Sequence, residues 1–138
     1  MKSNCLTCGE EFSYKSSQQT GKYCSNKCQQ EYQKNKVVKE WKNNSITGVK
    51  TGYRLKSAIR NYIFDKYNHQ CSSCGWNKVN ESTGKPPLEV DHIDGDCSNN
   101  NEENLRLLCP NCHSLTSNYK ALNKGNGNRK RLKYFGLI

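Results

Sequence analysis

Apolar side chains are sparse along this chain, and they cluster. Leu55, Ala58, Ile59, Tyr62 and Ile63 recur at three- and four-residue steps while Lys56, Arg60 and Lys66 fall off that face. That period predicts an amphipathic helix whose stripe packs into a core. Upstream, QQEYQKNKVVKEWK carries Tyr32, Val37 or Val38 and Trp41 as a looser stripe on a basic helix, which NNSITGVKTG then breaks with Asn, Ser and two glycines. Downstream, the polar loop NKVNESTGKPP leads to a strand at about Leu88–Ile93. An Asp/Gly/Asn-rich loop follows at 94–103, and Leu105–Leu108 can supply a returning strand. Pro110 suits the first turn of a helix running through 111–122. The pattern predicts a hairpin followed by a helix, within a small α+β fold.

Only 33% of the 138 residues are hydrophobic, too few for apolar burial alone to hold a domain of this size. Nine cysteines change that picture. They invite two readings, a disulfide framework or metal sites. Eight fall in close pairs: Cys5/Cys8, Cys24/Cys28, Cys71/Cys74 and Cys109/Cys112. Such spacing suits tetrahedral ligation and disfavours a bond within a pair, so zinc is the preferred reading. The pattern Cys-x-x-Cys-Gly occurs twice, at 5–9 and at 71–75. It marks two zinc knuckles, with glycine permitting the tight turn. Cys97 falls outside both quartets. Trp76 is expected to pack, and His69, just before the second knuckle, to pack or lie on the surface.

Residues 88–113, LEVDHIDGDCSNNNEENLRLLCPNCH, carry the chemistry. Four cysteines can hold one structural zinc while Asp91-His92 and His113 remain for a second, catalytic metal. Cys71, Cys74, Asp91-His92, Asn104, Cys109, Cys112 and His113 resemble, in order and spacing, the zinc-containing HNH endonucleases, over residues 71–122. The resemblance implies the ββα-metal fold, a β-hairpin and helix around one metal. It also implies phosphodiester cleavage to 5′-phosphate and 3′-hydroxyl ends. His92 becomes the candidate general base, since imidazole titrates near neutral pH. Asp91 and His113 become ligands of a divalent cation acting as Lewis acid and charge clamp, with Mg²⁺ first and Mn²⁺ or another transition metal as alternatives. In the family Asn104 is structural: its amide bonds backbone groups across the loop and helps fix the histidine. Successive strand residues point to opposite sides, so a local irregularity or the start of the loop must bring Asp91 and His92 to one pocket. Asp94 and Asp96 read as loop residues, because the later Glu of a twelve-residue calcium loop is missing.

Charge adds the substrate class. The net charge is +10. Residues 1–69 carry 13 Lys+Arg against 5 Asp+Glu, residues 70–113 carry 3 against 7, and residues 114–138 carry 6 against none. A cation site set between basic arms suits a polyphosphate such as double-stranded DNA. Lys120, Lys124, Arg129, Lys130, Arg131 and Lys133, with Tyr134 and Phe135 nearby, are the candidate phosphate contacts.

The expected organisation is a four-cysteine finger at 1–30 (zinc-ribbon or treble-clef-like) and a basic linker helix and loop at 31–52. An HNH domain at 53–122 and a basic tail at 123–138 follow. The expected cofactors are two structural Zn²⁺ and one catalytic divalent cation. Neither a signal-like apolar run nor a membrane-length segment is evident, so the expected setting is cytoplasmic, in a bacterial or phage-infected cell. One catalytic centre per chain implies nicking by a monomer, with double-strand cleavage by a homodimer or by two sequential events. The alternatives are a non-catalytic zinc-dependent DNA-binding module, or an adaptor whose finger contacts a protein such as a phage packaging component.

Overall fold

The computed structural model describes residues 1–15, 20–50 and 54–124, together with positions 133 and 136. Strands β1 (Lys2–Asn4) and β2 (Glu11–Ser13) pair antiparallel, with Ser3 opposite Phe12. Their connecting turn is the first knuckle. Gly9 N–H donates to the Cys5 carbonyl at 2.9 Å and Cys5 N–H to the Glu10 carbonyl at 2.9 Å. Gly9 sits at φ +78°, a conformation that side-chain-bearing residues avoid. The second knuckle repeats this pattern: Gly75 N–H donates to Cys71 at 2.8 Å and Cys71 N–H to Trp76 at 2.9 Å, with Gly75 at φ +76°.

Helix α1 (Asn26–Lys42) begins inside the finger. Ser25 caps it, extended at φ −156° and accepting from Cys28 N–H at 3.2 Å. From Gln29 to Lys36 every residue is exposed, and only near its C-terminal end does α1 enter the core. There Val37 and Val38 are half-buried and Trp41 is 4% exposed. Tyr32, expected on the same stripe, lies outside the core and stacks on Tyr23 of the finger at 5.4 Å. Lys39 and Lys42 in the last turn complement the helix dipole.

Helix α2 (Ser57–Lys66) buries Ile59 and Ile63, as its period predicts. Strands β3 (Glu89–His92) and β4 (Leu105–Leu108) form the second antiparallel pair, in the register Glu89↔Leu108, Val90↔Leu107, Asp91↔Arg106, His92↔Leu105. Ile59, Ile63, Leu105, Leu107 and Leu108 are fully buried and, with Trp41, Leu88, Cys71 and Cys109, make one core. At about 1.5–3 kcal/mol for each large apolar side chain, this core is modest, and its edge is formed by zinc-cluster cysteines. No helix among the described residues is long and apolar enough to cross a membrane.

Two expectations need correction. Helix α3 (Pro110–Ser114) has five residues and does not run on to 122. The next segment puts its hydrogen-bonding groups elsewhere. Thr116 Oγ1 donates to the His113 carbonyl at 2.9 Å, and Asn118 Nδ2 donates to the Ile93 carbonyl at 3.3 Å. Short polar side chains that satisfy backbone carbonyls compete with helix continuation, and here they do so across the site. Trp76 is 37% exposed and is not part of the core, so it is not the packing aromatic expected.

Candidate active site

The zinc clusters assemble as the pairs suggest. The sulfurs of Cys5, Cys8, Cys24 and Cys28 lie within 4.8 Å of one another, as do those of Cys71, Cys74, Cys109 and Cys112. Individual separations are 3.7 Å (Cys8–Cys24), 3.5 Å (Cys24–Cys28) and 3.8 Å (Cys74–Cys109). A tetrahedron with Zn–S bonds of about 2.3 Å has S···S edges of about 3.8 Å, so both quartets fit zinc. Their acidities agree. Hydrogen bonds, led by the backbone of Cys8, pull Cys5 down to about 6. At Cys71 burial opposes ionisation, but backbone groups led by Cys109 bring the thiol down to about 6. The crowding sulfur of Cys28 pushes Cys24 up to about 12, and that of Cys74 does the same to Cys112. Four thiols this close cannot all ionise without a cation among them. No disulfide joins them.

The second cluster positions the candidate reaction centre. Cys109 follows β4 directly and caps α3, accepting from Cys112 N–H at 3.4 Å, and Pro110 opens the helix. His113 is therefore placed one residue after a zinc ligand, on a helix clamped to the hairpin. Its Nε2 lies 3.6 Å from Oδ1 of Asp91, which is 7% exposed on β3. Two ligand atoms bound to one cation at about 2.0–2.2 Å stand about 2.8–3.6 Å apart between octahedral and tetrahedral angles, so this pair fits a shared metal. Such a cation would supply Lewis acidity and charge stabilisation at a phosphate.

Two neighbours orient these ligands. Arg106, opposite Asp91 in the register, donates from Nε to Asp91 Oδ2 at 2.8 Å and leaves Oδ1 facing His113. Glu89 Oε2 meets His113 Nδ1 at 2.6 Å. A carboxylate on one ring nitrogen puts the proton there and presents the other as a ligand lone pair. The His113 ring also sits edge-on to Tyr119 at 5.3 Å.

His92 is half-buried and is the last residue of β3. The register stays regular through Asp91 and His92, so no strand irregularity reorients them. The loop begins directly after β3, where Gly95 N–H bonds back to the His92 carbonyl at 3.0 Å. His92 Nε2 is 2.8 Å from Oδ1 of Asn100, a buried side chain.

Asn104 clamps the loop. Its Oδ1 accepts from Asp94 N–H at 3.1 Å, while Nδ2 donates to the Asn99 carbonyl at 2.8 Å and to Asp94 Oδ1 at 2.9 Å. It thus makes the cross-loop backbone bonds expected of it, but the hydrogen bond to the histidine ring belongs to Asn100. Burial works against ionisation of Asp94, yet the amide of Asn99, the backbone of Asp96 and the amide of Asn104 hold its carboxyl below the ordinary value. Cys97 is half-buried in the same loop.

Among the expected phosphate contacts, Lys120, Lys124 and Lys133 are exposed. Lys120 lies over the ring of Tyr119 at 5.0 Å, the same ring that His113 meets edge-on. Arg129, Lys130 and Arg131, with Tyr134 and Phe135, lie outside the described residues. His69 is on the surface, 2.9 Å from Asp65.

Sequence reasoning missed Glu89, Arg106 and Asn100. Glu89 was findable, since it shares the Asp91 face two residues away. Arg106 needs the strand register, and Asn100 stands in a run of three asparagines that nothing in one dimension tells apart.

Comparison with known proteins agrees with this geometry. Residues 71–118 match the family model of the HNH endonuclease. The chain is 43% identical over 76 residues to the H-N-H endonuclease F-TflIV of Escherichia phage T5, an overlap covering 54% of this chain and 31% of that protein. It is 42% identical over 55 residues to the Zorya protein ZorE of Escherichia coli, covering 40% of this chain and 14% of that one. The chain thus spans less than a third of the length of either relative. No solved structure matches it significantly. Two four-cysteine clusters, a candidate ligand pair on hairpin and helix, and the family match over the same residues point the same way: residues 71–118 of this chain are similar to an HNH endonuclease domain.

Proposed function

We propose that the chain is a metal-dependent DNA endonuclease that hydrolyses one phosphodiester per catalytic centre, leaving a 5′-phosphate and a 3′-hydroxyl. The observation that supports this best is the convergence of Asp91 Oδ1 and His113 Nε2 at 3.6 Å, with Glu89 holding the far side of the imidazole. Two protein ligands leave room for water and phosphate oxygens around one cation, for which Mg²⁺ is the first choice and Mn²⁺ the second. His92 accepts the proton of the attacking water. Lys120 and Lys124, both exposed, hold the DNA backbone together with the basic tail. A single centre cuts one strand, so a monomer nicks, and paired breaks need a dimer or two sequential events.

Supercoiled plasmid incubated with the zinc-loaded protein and Mg²⁺ or Mn²⁺ should pass to the open circle. His92→Ala and His113→Ala should each slow that conversion at least about 100-fold. An intact plasmid with every metal, or a His92→Ala protein as active as the parent, sinks the proposal.

A further inference from the structure

Asn100 is 8% exposed and sits where the finger-bearing helix meets the catalytic loop. Its Oδ1 is 2.8 Å from His92 Nε2. Its Nδ2 faces two carbonyls, those of Cys97 and Ser98, each at 3.4 Å. Those carbonyls fix the amide orientation, since only the NH₂ end can face them. The oxygen must then face the histidine, and Nε2 must carry the proton to meet it. Nδ1 is left with the lone pair. The Asn100 backbone is pinned too, because its carbonyl accepts from Trp41 Nε1 at 2.8 Å. Trp41 is 4% exposed near the end of α1, the helix whose first turn carries Cys28.

We infer that Asn100, held in place by Trp41, is a positioning residue that fixes the His92 tautomer with Nδ1 as the proton-accepting nitrogen, making α1 a structural part of the catalytic centre. This rests on His92 acting as the base. A base must present its lone pair to the water, and a ring free to rotate or change tautomer spends part of its time unable to do so. An indole and an amide on separate elements together remove that freedom.

The test uses the full zinc-loaded chain. In long-range ¹H–¹⁵N spectra at a pH of about 8, where imidazole is neutral, His92 should carry its proton on Nε2. Asn100→Ala should give a mixture of tautomers and lower kcat for plasmid nicking by about 10–100-fold, with KM changed little. Asn100→Asp keeps the acceptor oxygen and should restore the tautomer. Trp41→Phe fills most of the indole's space without its N–H and should lower kcat in the same sense by a smaller factor.

A wild-type proton on Nδ1 overturns the inference without any variant, which covers the case in which Asn100→Ala does not fold. So does a folded Asn100→Ala protein whose kcat stays within about twofold of the parent with the tautomer unchanged. His92→Ala run in parallel separates the failures: if it is inactive while Asn100→Ala is not, only this inference falls. If His92→Ala nicks normally, the assignment of the base falls with it.

Discussion

At the scale of single residues, the site depends on which atom of each side chain is already engaged. Asp91 offers one oxygen because Arg106 holds the other, and His113 offers Nε2 because Glu89 holds Nδ1. Glu89→Gln removes the charge on that outer bond and should weaken divalent binding by about 10–100-fold, with the fold intact. Calorimetric titration of Mn²⁺ into the zinc-loaded protein measures it, and an unchanged affinity would show that Glu89 plays no such part. Glu102 gives a second, pH-linked prediction. Burial works against its ionisation, but the Tyr62 hydroxyl at 2.6 Å and Lys66 at 3.0 Å hold its carboxyl below the ordinary 4.5. A depressed folded-state value stabilises the fold above the ordinary range, and that contribution is lost as pH falls through the depressed value. Glu102→Gln should therefore lower Tm at neutral pH, and the gap from the parent should close as pH drops below about 4. Melts at three pH values check the trend.

At the scale of elements, α1 is the piece that one-dimensional reading understates. Its amphipathic signal is weak because only its C-terminal third is packed, yet it carries a zinc ligand at one end and a core tryptophan at the other. The bend after it is equally constrained. Gly48 has φ +75°, and a Cβ there would stand 2.7 Å from Trp41 Cδ1 and 2.8 Å from Ile59 Cδ1. Gly48→Ala should cost about 2–4 kcal/mol, the sum of left-handed strain and overpacking. Denaturant unfolding measures it, and a loss below about 0.5 kcal/mol would mean that this bend does not lock α1 to α2. Helix α3 shows the opposite lesson. Its residues look helical through 122, but Thr116 and Asn118 satisfy backbone carbonyls elsewhere, one of them across the loop.

At the scale of the whole molecule, two zinc clusters stand in for the core that the composition does not supply. Chelation should therefore remove tertiary structure as well as activity, and the protons released on re-binding zinc should rise in number as pH falls and more thiols are protonated. Near-ultraviolet circular dichroism during EDTA titration reads the first, and a pH-indicator dye the second. The two clusters should differ. Cys71→Ser breaks the clamp that holds β4 and α3 together and should abolish nicking. Cys5→Ser loosens the finger while Trp41 remains packed, so residual nicking should exceed that of Cys71→Ser. Equal loss in both would mean that the finger is needed for the hairpin itself to fold.

Much of the candidate site is legible in the sequence. Cysteine spacing pairs the ligands, the two Cys-x-x-Cys-Gly knuckles set their turns, and Asp91, His92, Asn104 and His113 stand out because metal and acid–base chemistry admit few residue types. The α2 stripe and the β4 strand were legible for a simpler reason, since burying one face imposes a period. Tertiary structure alone decided the partners: Arg106 for Asp91, Asn100 for His92, and Trp41 for the Asn100 backbone. The last of these spans 59 residues of sequence. A hydrogen bond of that kind leaves no period and needs no special spacing, because the fold, and not the local chain, brings its two ends together. The Asp91-His92 pair is visible as chemistry in the sequence alone; which nitrogen and which oxygen of the candidate site are already engaged depends on the pairing of the strands and the packing of α1 against the loop.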